Sequence, residues 1–96
     1  MKPSDAIRDQ LTALRGTARR FRVANPRVYG SVVHGTDRDG SDLDLLVDPT
    51  PETTLFDLGA LQVALEELLG VPVDVRTPGD LPARFRDTVL REAQPL

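Results

Sequence analysis

No cysteine occurs in this chain, so disulfides and thiolate metal sites are excluded. One histidine is too few for a zinc centre, which usually takes several nitrogen or sulfur ligands. The lone lysine, Lys2, is terminal; neither a Gly-rich loop ending in Gly-Lys-Ser/Thr nor a G-x-G-x-x-G run is present. Those gaps remove most kinase and dinucleotide readings. No apolar run approaches the roughly 18 residues of a membrane span, and the N-terminus lacks a signal-peptide h-region. The expectation is a cytoplasmic protein with no membrane partner.

What remains is an ordinary globular balance, 40% hydrophobic and 28% charged, on a length of 96 residues that supports one small core. One domain over residues 1–96 is expected. The net charge of −3 hides an asymmetry: residues 1–30 hold seven Lys/Arg and two acids, residues 31–80 two basic and eleven acidic groups. An acidic centre suits a cation and speaks against direct clamping of nucleic acid. The basic group Arg15, Arg19, Arg20, Arg22 and Arg27 reads as a solvated face near the end of a first helix.

The informative stretch runs from Arg27 to Asp48, RVYGSVVHGTDRDGSDLDLLVD. Val28-Tyr29 reads as a strand that stops on a Gly30-Ser31 corner. A polar loop follows, in which residues 31–36 have room for a helical turn. A second strand then covers about Asp42 to Asp48. Residues two apart on a strand share a face, so Asp42 and Asp44 point one way while Leu43, Leu45 and Val47 point into the core. Their Cα atoms would lie roughly 6.6 Å apart at about 3.3 Å rise per residue. Two anions held so closely repel unless a cation lies between them. At Gly30 the missing Cβ lets a bulky anion approach the backbone, and Ser31 offers a hydroxyl and an N–H. Phosphate beside metal describes a nucleotide site.

A third carboxylate stands on a third strand. Val71, Val73 and Val75 alternate with Pro72, Asp74 and Arg76, placing Asp74 on the polar face. Magnesium takes octahedral oxygen ligation, often a carboxylate or two completed by phosphate oxygens and water. Asp42, Asp44 and Asp74 are therefore the candidate metal ligands, for two Mg2+ ions.

Gly30-Ser31, ten residues, then Asp42-x-Asp44 and an apolar run resembles the signature of the DNA polymerase beta-type nucleotidyltransferase superfamily. The run SDLDLLVD and the C-terminal VPVDVRTPGDLPARFRDTVLREAQPL are similar to its minimal nucleotidyltransferases, the antitoxin-like partners of HEPN-domain proteins. The resemblance implies that Gly30 and Ser31 hold the triphosphate of ATP, that Asp42 and Asp44 bind both metals, and that Asp74 helps to deprotonate the acceptor hydroxyl. It implies AMP transfer with release of pyrophosphate, onto a tyrosine of a HEPN ribonuclease toxin bound as a hetero-oligomer. Many members carry Arg-Gly after the corner, where this chain has His34-Gly35. His34 is thus either a phosphate contact or a plain loop residue. Two further readings stand beside transfer to a protein: neutralisation of the toxin by stoichiometric binding, and transfer to a small molecule with a separate subunit.

The rest of the chain supplies scaffold. Ile7, Leu11, Leu14, Ala18 and Phe21 form one helical stripe that Ser4 or Asp5 would cap, with Gly16 a place for a kink and Asn25-Pro26 its end. Leu55, Leu58, Leu61, Leu65, Leu68 and Leu69 form the apolar face of a second long helix, capped by Thr53 or Thr54 and closed by Gly70. A last helix starts near Pro82 and docks through Phe85, Val89 and Leu90. The expected fold is α/β (α+β): a small mixed three-stranded sheet with helices on one face, the nucleotidyltransferase fold, and the other face free for polar chemistry.

Overall fold

A computed structural model describes residues 1–96. Its elements are α1 (Pro3–Arg20), β1 (Val23–Tyr29), α2 (Ser31–His34), β2 (Leu43–Pro49), α3 (Leu55–Leu69), β3 (Val73–Arg76), α4 (Ala83–Glu92) and β4 (Gln94–Pro95). The mixed sheet has the order β3-β2-β1-β4: β1 is antiparallel to β2 and β4, and β2 is parallel to β3. No helix is long and apolar enough to cross a membrane.

The core lies between the sheet and the pair α1 and α3. Leu14 and Ala18 of α1 and Leu61, Leu65 and Leu69 of α3 meet Val28, Leu43, Leu45, Val47 and Val73 from the inner sheet face. Strand alternation thus drives the leucines of β2 inward and leaves Asp44, Leu46 and Asp48 on the opposite side. At α3 the Thr54 side chain accepts from the Asp57 N–H while Asp57 accepts from the Thr54 N–H, a capping box that fixes where the helix begins. Gly70, at φ 70°, ends it.

Several expectations need correction. The sheet has four strands; β4 is two residues long and contains a proline, so it carries no alternation to read. Strand β1 begins at Val23, four residues before Arg27, and Asn25-Pro26 sits inside it. The ladder shifts register between Ala24 and Arg27, and Asn25 takes φ 50°. Such a bulge accommodates both the missing proline N–H and the left-handed asparagine. The break in α1 lies at Gln10, with φ −125° and ψ 23°, and Gly16 is regular helix. Neither Ser4 nor Asp5 caps α1; Lys2 stands at the N-cap, and the Ser4 N–H donates to Asp37 Oδ2 at 2.9 Å from the loop before β2.

The second sheet face is not left bare. Val89 and Ala93, at the end of α4, pack against a small cluster of Tyr29, Leu46 and Leu81 there. Of the three residues expected to dock α4, Val89 does so, whereas Phe85 and Leu90 are exposed. Pro82 is the N-cap of α4, one position ahead of N1. Leu55, read as part of the α3 core face, is exposed together with Phe56.

Candidate active site

The site begins where β1 ends. Gly30 takes φ 75° and ψ −141°, which only glycine adopts freely, and turns the chain into α2. Five residues later Gly35, at φ 71°, closes α2, so the helical turn expected in residues 31–36 is present. A side chain at Gly30 would collide with the Asp44 carboxylate. The absence of a Cβ there admits the carboxylate of a neighbouring strand, closer at hand than any ligand.

Asp44 is the hub. In the ladder it stands opposite Tyr29 of β1 on one side and Asp74 of β3 on the other. Burial pushes the Asp44 carboxyl above the usual carboxylate range, and the negative charges of Asp74 and then Asp42 push it further. Arg76 acts against them. The Tyr29 phenol is pushed up to about 12 by burial and then by the Asp44 charge, so it is a neutral hydroxyl at physiological pH. Asp74 lies half-buried, and its Oδ2 accepts from Arg76 Nε at 2.9 Å, two residues along the same strand face.

Asp42 differs from the expectation that it shares the strand with Asp44. The first ladder bond of β2 runs from the Leu43 N–H to the Pro72 carbonyl at 2.8 Å, so Asp42 stands just before the strand, exposed at its lip. The Ser41 hydroxyl accepts from the Arg38 N–H at 2.8 Å and the Ser41 N–H donates to the Arg38 carbonyl at 3.0 Å, which folds the loop back there. His34, the last residue of α2, pairs through Nε2 with Glu92 Oε2 of α4 at 2.7 Å.

The chain therefore brings Asp44 and Asp74 into register, sets Asp42 within electrostatic range of Asp44, and places Gly30 directly against Asp44. No three His, Cys, Asp or Glu side chains form a closed metal cage. The donor set still fits a hard divalent ion: three acids, one of them raised by burial and then by the charge of the other two, with the remaining ligation left to phosphate oxygens and water. Two members were not singled out from sequence. Arg76 was legible, since it follows Asp74 by two on the same face; Glu92 was not, because nothing local ties it to a residue 58 positions away.

The family model described as nucleotidyltransferase domain matches residues 11–96. The protein adenylyltransferase MntA of Thermococcus cleftensis is 38% identical over 89 residues, which is 92% of this chain and 90% of that protein. A solved structure described as a minimal nucleotidyltransferase is 43% identical, with a TM-score of 0.86 over 97% of this chain and 95% of the other. A solved toxin–antitoxin complex with AMP-PNP shares the fold, with a TM-score of 0.74 at 17% identity over 88% of this chain and 69% of that one.

Proposed function

The chain belongs to the nucleotidyltransferase domain family, and from that premise we propose that it is a protein adenylyltransferase, moving AMP from ATP to a tyrosine hydroxyl of a HEPN-type ribonuclease toxin and acting as its antitoxin. The observation that carries the reading is the row Gly30, Asp44, Asp74, in which a glycine corner, a carboxylate and a second carboxylate adjoin across neighbouring elements. The name of the Thermococcus cleftensis relative, which matches over nearly all of both chains, supports the same activity and a protein as acceptor. The resemblance to the antitoxin partners of HEPN proteins supports the choice of toxin.

In this reading Gly30 and Ser31 hold the triphosphate, with His34 beside them, and Asp42, Asp44 and Asp74 hold magnesium. The metal, when bound, neutralises charge on the phosphates and on the attacking and leaving oxygens. The acceptor hydroxyl attacks the α-phosphorus; the new O–P bond forms as the bond to the β-phosphate oxygen breaks, and pyrophosphate leaves. Asp74 takes the hydroxyl proton. Its Oδ2 is held by Arg76, which fixes the carboxylate. Asp44 is fixed by its strand and by the glycine behind it, so positioning comes from the scaffold and not from a mobile loop. The acceptor itself must come from the partner.

A second reading, inhibition of the toxin by binding alone, is favoured by one observation. Leu55 and Phe56 stand side by side, 86% and 89% exposed, at the start of α3, a surface that suits a protein contact whether or not transfer occurs. Incubation with the toxin, ATP and magnesium, followed by intact mass measurement, separates the two. Whole AMP increments on the toxin, absent with Asp44→Asn, support transfer. A toxin that is unmodified yet fully inhibited overturns it in favour of binding.

A further inference from the structure

Beside the carboxylate row lies a cavity of about 410 Å³, within the range of small-ligand sites. One wall is Gly30 and His34, the other is the inward face of α4. Phe85, Val89 and Glu92 recur on that face at helical spacing, one turn apart. Phe85 is 49% exposed, although it lines a concave site and stands on a helix whose other docking residue, Val89, is packed. Arg84 lies over its ring, 4.6 Å from guanidinium carbon to centroid, a favourable contact for the ring in this orientation. The pair His34–Glu92 bridges the two walls at 2.7 Å. A half-exposed, oriented aromatic ring in an apolar slot is a stacking surface without its partner.

We propose that this cavity seats the nucleobase of the nucleoside triphosphate, with Phe85 as its stacking platform. The inference rests on the reading of Gly30 and Ser31 as the triphosphate corner and adds the residue that holds the other end of the same molecule. The competing occupant is the aromatic ring of the acceptor. In-line displacement places the attacking oxygen opposite the leaving pyrophosphate. The slot is continuous with the corner at Gly30 and His34 as well as with Arg76, and a nucleotide held at that corner by its phosphates brings its own base to the slot. Base stacking on an aromatic side chain tolerates any base, which assigns affinity to Phe85 and no choice among nucleotides.

The test is titration of the full chain in magnesium with ATP and, separately, with inorganic tripolyphosphate. Phe85→Ala is expected to weaken ATP about tenfold and to leave tripolyphosphate unchanged, whereas Phe85→Trp keeps ATP affinity. Equal ATP affinity of Phe85→Ala and the unsubstituted chain overturns the proposal. So does an equal loss for both ligands, which would mean that the substitution disturbs the fold or the corner. A rise in KM for the acceptor protein at unchanged ATP affinity would give the slot to the acceptor and overturn it as well. If the unsubstituted chain bound tripolyphosphate but gained nothing from the nucleoside, the base site alone would fail; if it bound neither, the nucleotidyltransferase reading would fail with it.

Discussion

Gly30 and Asp44 compete for one volume: the space in which a side chain at residue 30 would stand is filled by the Asp44 carboxylate. Two constraints thus fall on one residue, because the φ of 75° there also disfavours any residue with a Cβ. Gly30→Ala is expected to cost about 1–3 kcal/mol in stability from the backbone alone. Its larger effect is on turnover. The alanine methyl displaces Asp44, and a misplacement of about 1 Å at a reacting centre costs on the order of a hundredfold. Urea unfolding and transfer rates measured on the same preparation check both. A variant that kept full activity would remove Asp44 from the centre of the site.

Asp44 and Asp42 are expected to be dispensable for folding and required for transfer. Asp44→Asn removes a charge that burial and two neighbouring acids already disfavour. In the presence of a chelator its stability should equal or slightly exceed that of the unsubstituted protein at pH 7. A carboxyl held above its ordinary value opposes folding when ionised, so this advantage should shrink as the pH falls through that raised value towards 3.8 and be gone below it. Asp42→Asn should show the same loss of transfer with little change in stability, because Asp42 is exposed. Full transfer by either variant in magnesium would defeat the metal assignment.

How much of this was legible in the sequence depends on whether the information was local. Alternation in LDLLVD and VDVR placed Asp44 and Asp74 on one sheet face, because both strands are buried on the other side and a one-residue slip would expose Leu43 and Leu45. Thr53 or Thr54, of which Thr54 is the cap, and Gly70 marked the ends of α3 through capping chemistry that needs only neighbours. The failures arise where tertiary contacts decide. Asn25-Pro26 looks like a helix stop and is a bulge, because the partner strand β2 takes up the irregularity. Phe85 and Leu90 look like core residues of α4, yet Val89 and Ala93 make the contact and Phe85 turns to the cavity. Asp42 was placed one residue too deep, since the ladder starts with the bond from Leu43 to Pro72.

The pairing of His34 with Glu92 modifies what a substitution at His34 should do. At the position where the family resemblance implies arginine, the histidine nitrogen is already engaged by a carboxylate, which any phosphate must displace or share. His34→Arg is expected to tighten ATP, since the guanidinium can meet Glu92 and a phosphate at once. His34→Ala should weaken ATP by a few-fold, as loss of one exposed contact worth under about 1 kcal/mol. Glu92→Gln should have no effect on ATP affinity in the His34→Ala background if the two residues act together. Isothermal titration of the four proteins checks this, and identical affinities throughout would return His34 to the role of a loop residue.

The last prediction concerns Asp48 at the far end of β2. Arg27 is mostly buried and donates to both Asp48 oxygens, Nη2 to Oδ1 at 3.0 Å and Nη1 to Oδ2 at 3.2 Å, while its Nε is buried without a partner. Asp48 is 40% exposed, so solvent screens part of the attraction. Asp48→Asn should therefore cost about 1–2 kcal/mol at pH 7, less than a fully buried pair would. The hydrogen bonds from Arg27, with a further one from Asn25, hold the Asp48 carboxyl below its ordinary value of 3.8. A depressed carboxylate contributes its full stabilisation above the unfolded value and loses it as the pH falls through the folded one. Asp37, held low by the Ser4 N–H, has the same sign. Urea unfolding at several values between pH 7 and pH 2 should show the gap between the unsubstituted chain and Asp48→Asn constant down to about pH 4 and closing below it. A gap that persisted unchanged to pH 2 would mean that Arg27 is held by packing, with no contribution from the charge of Asp48.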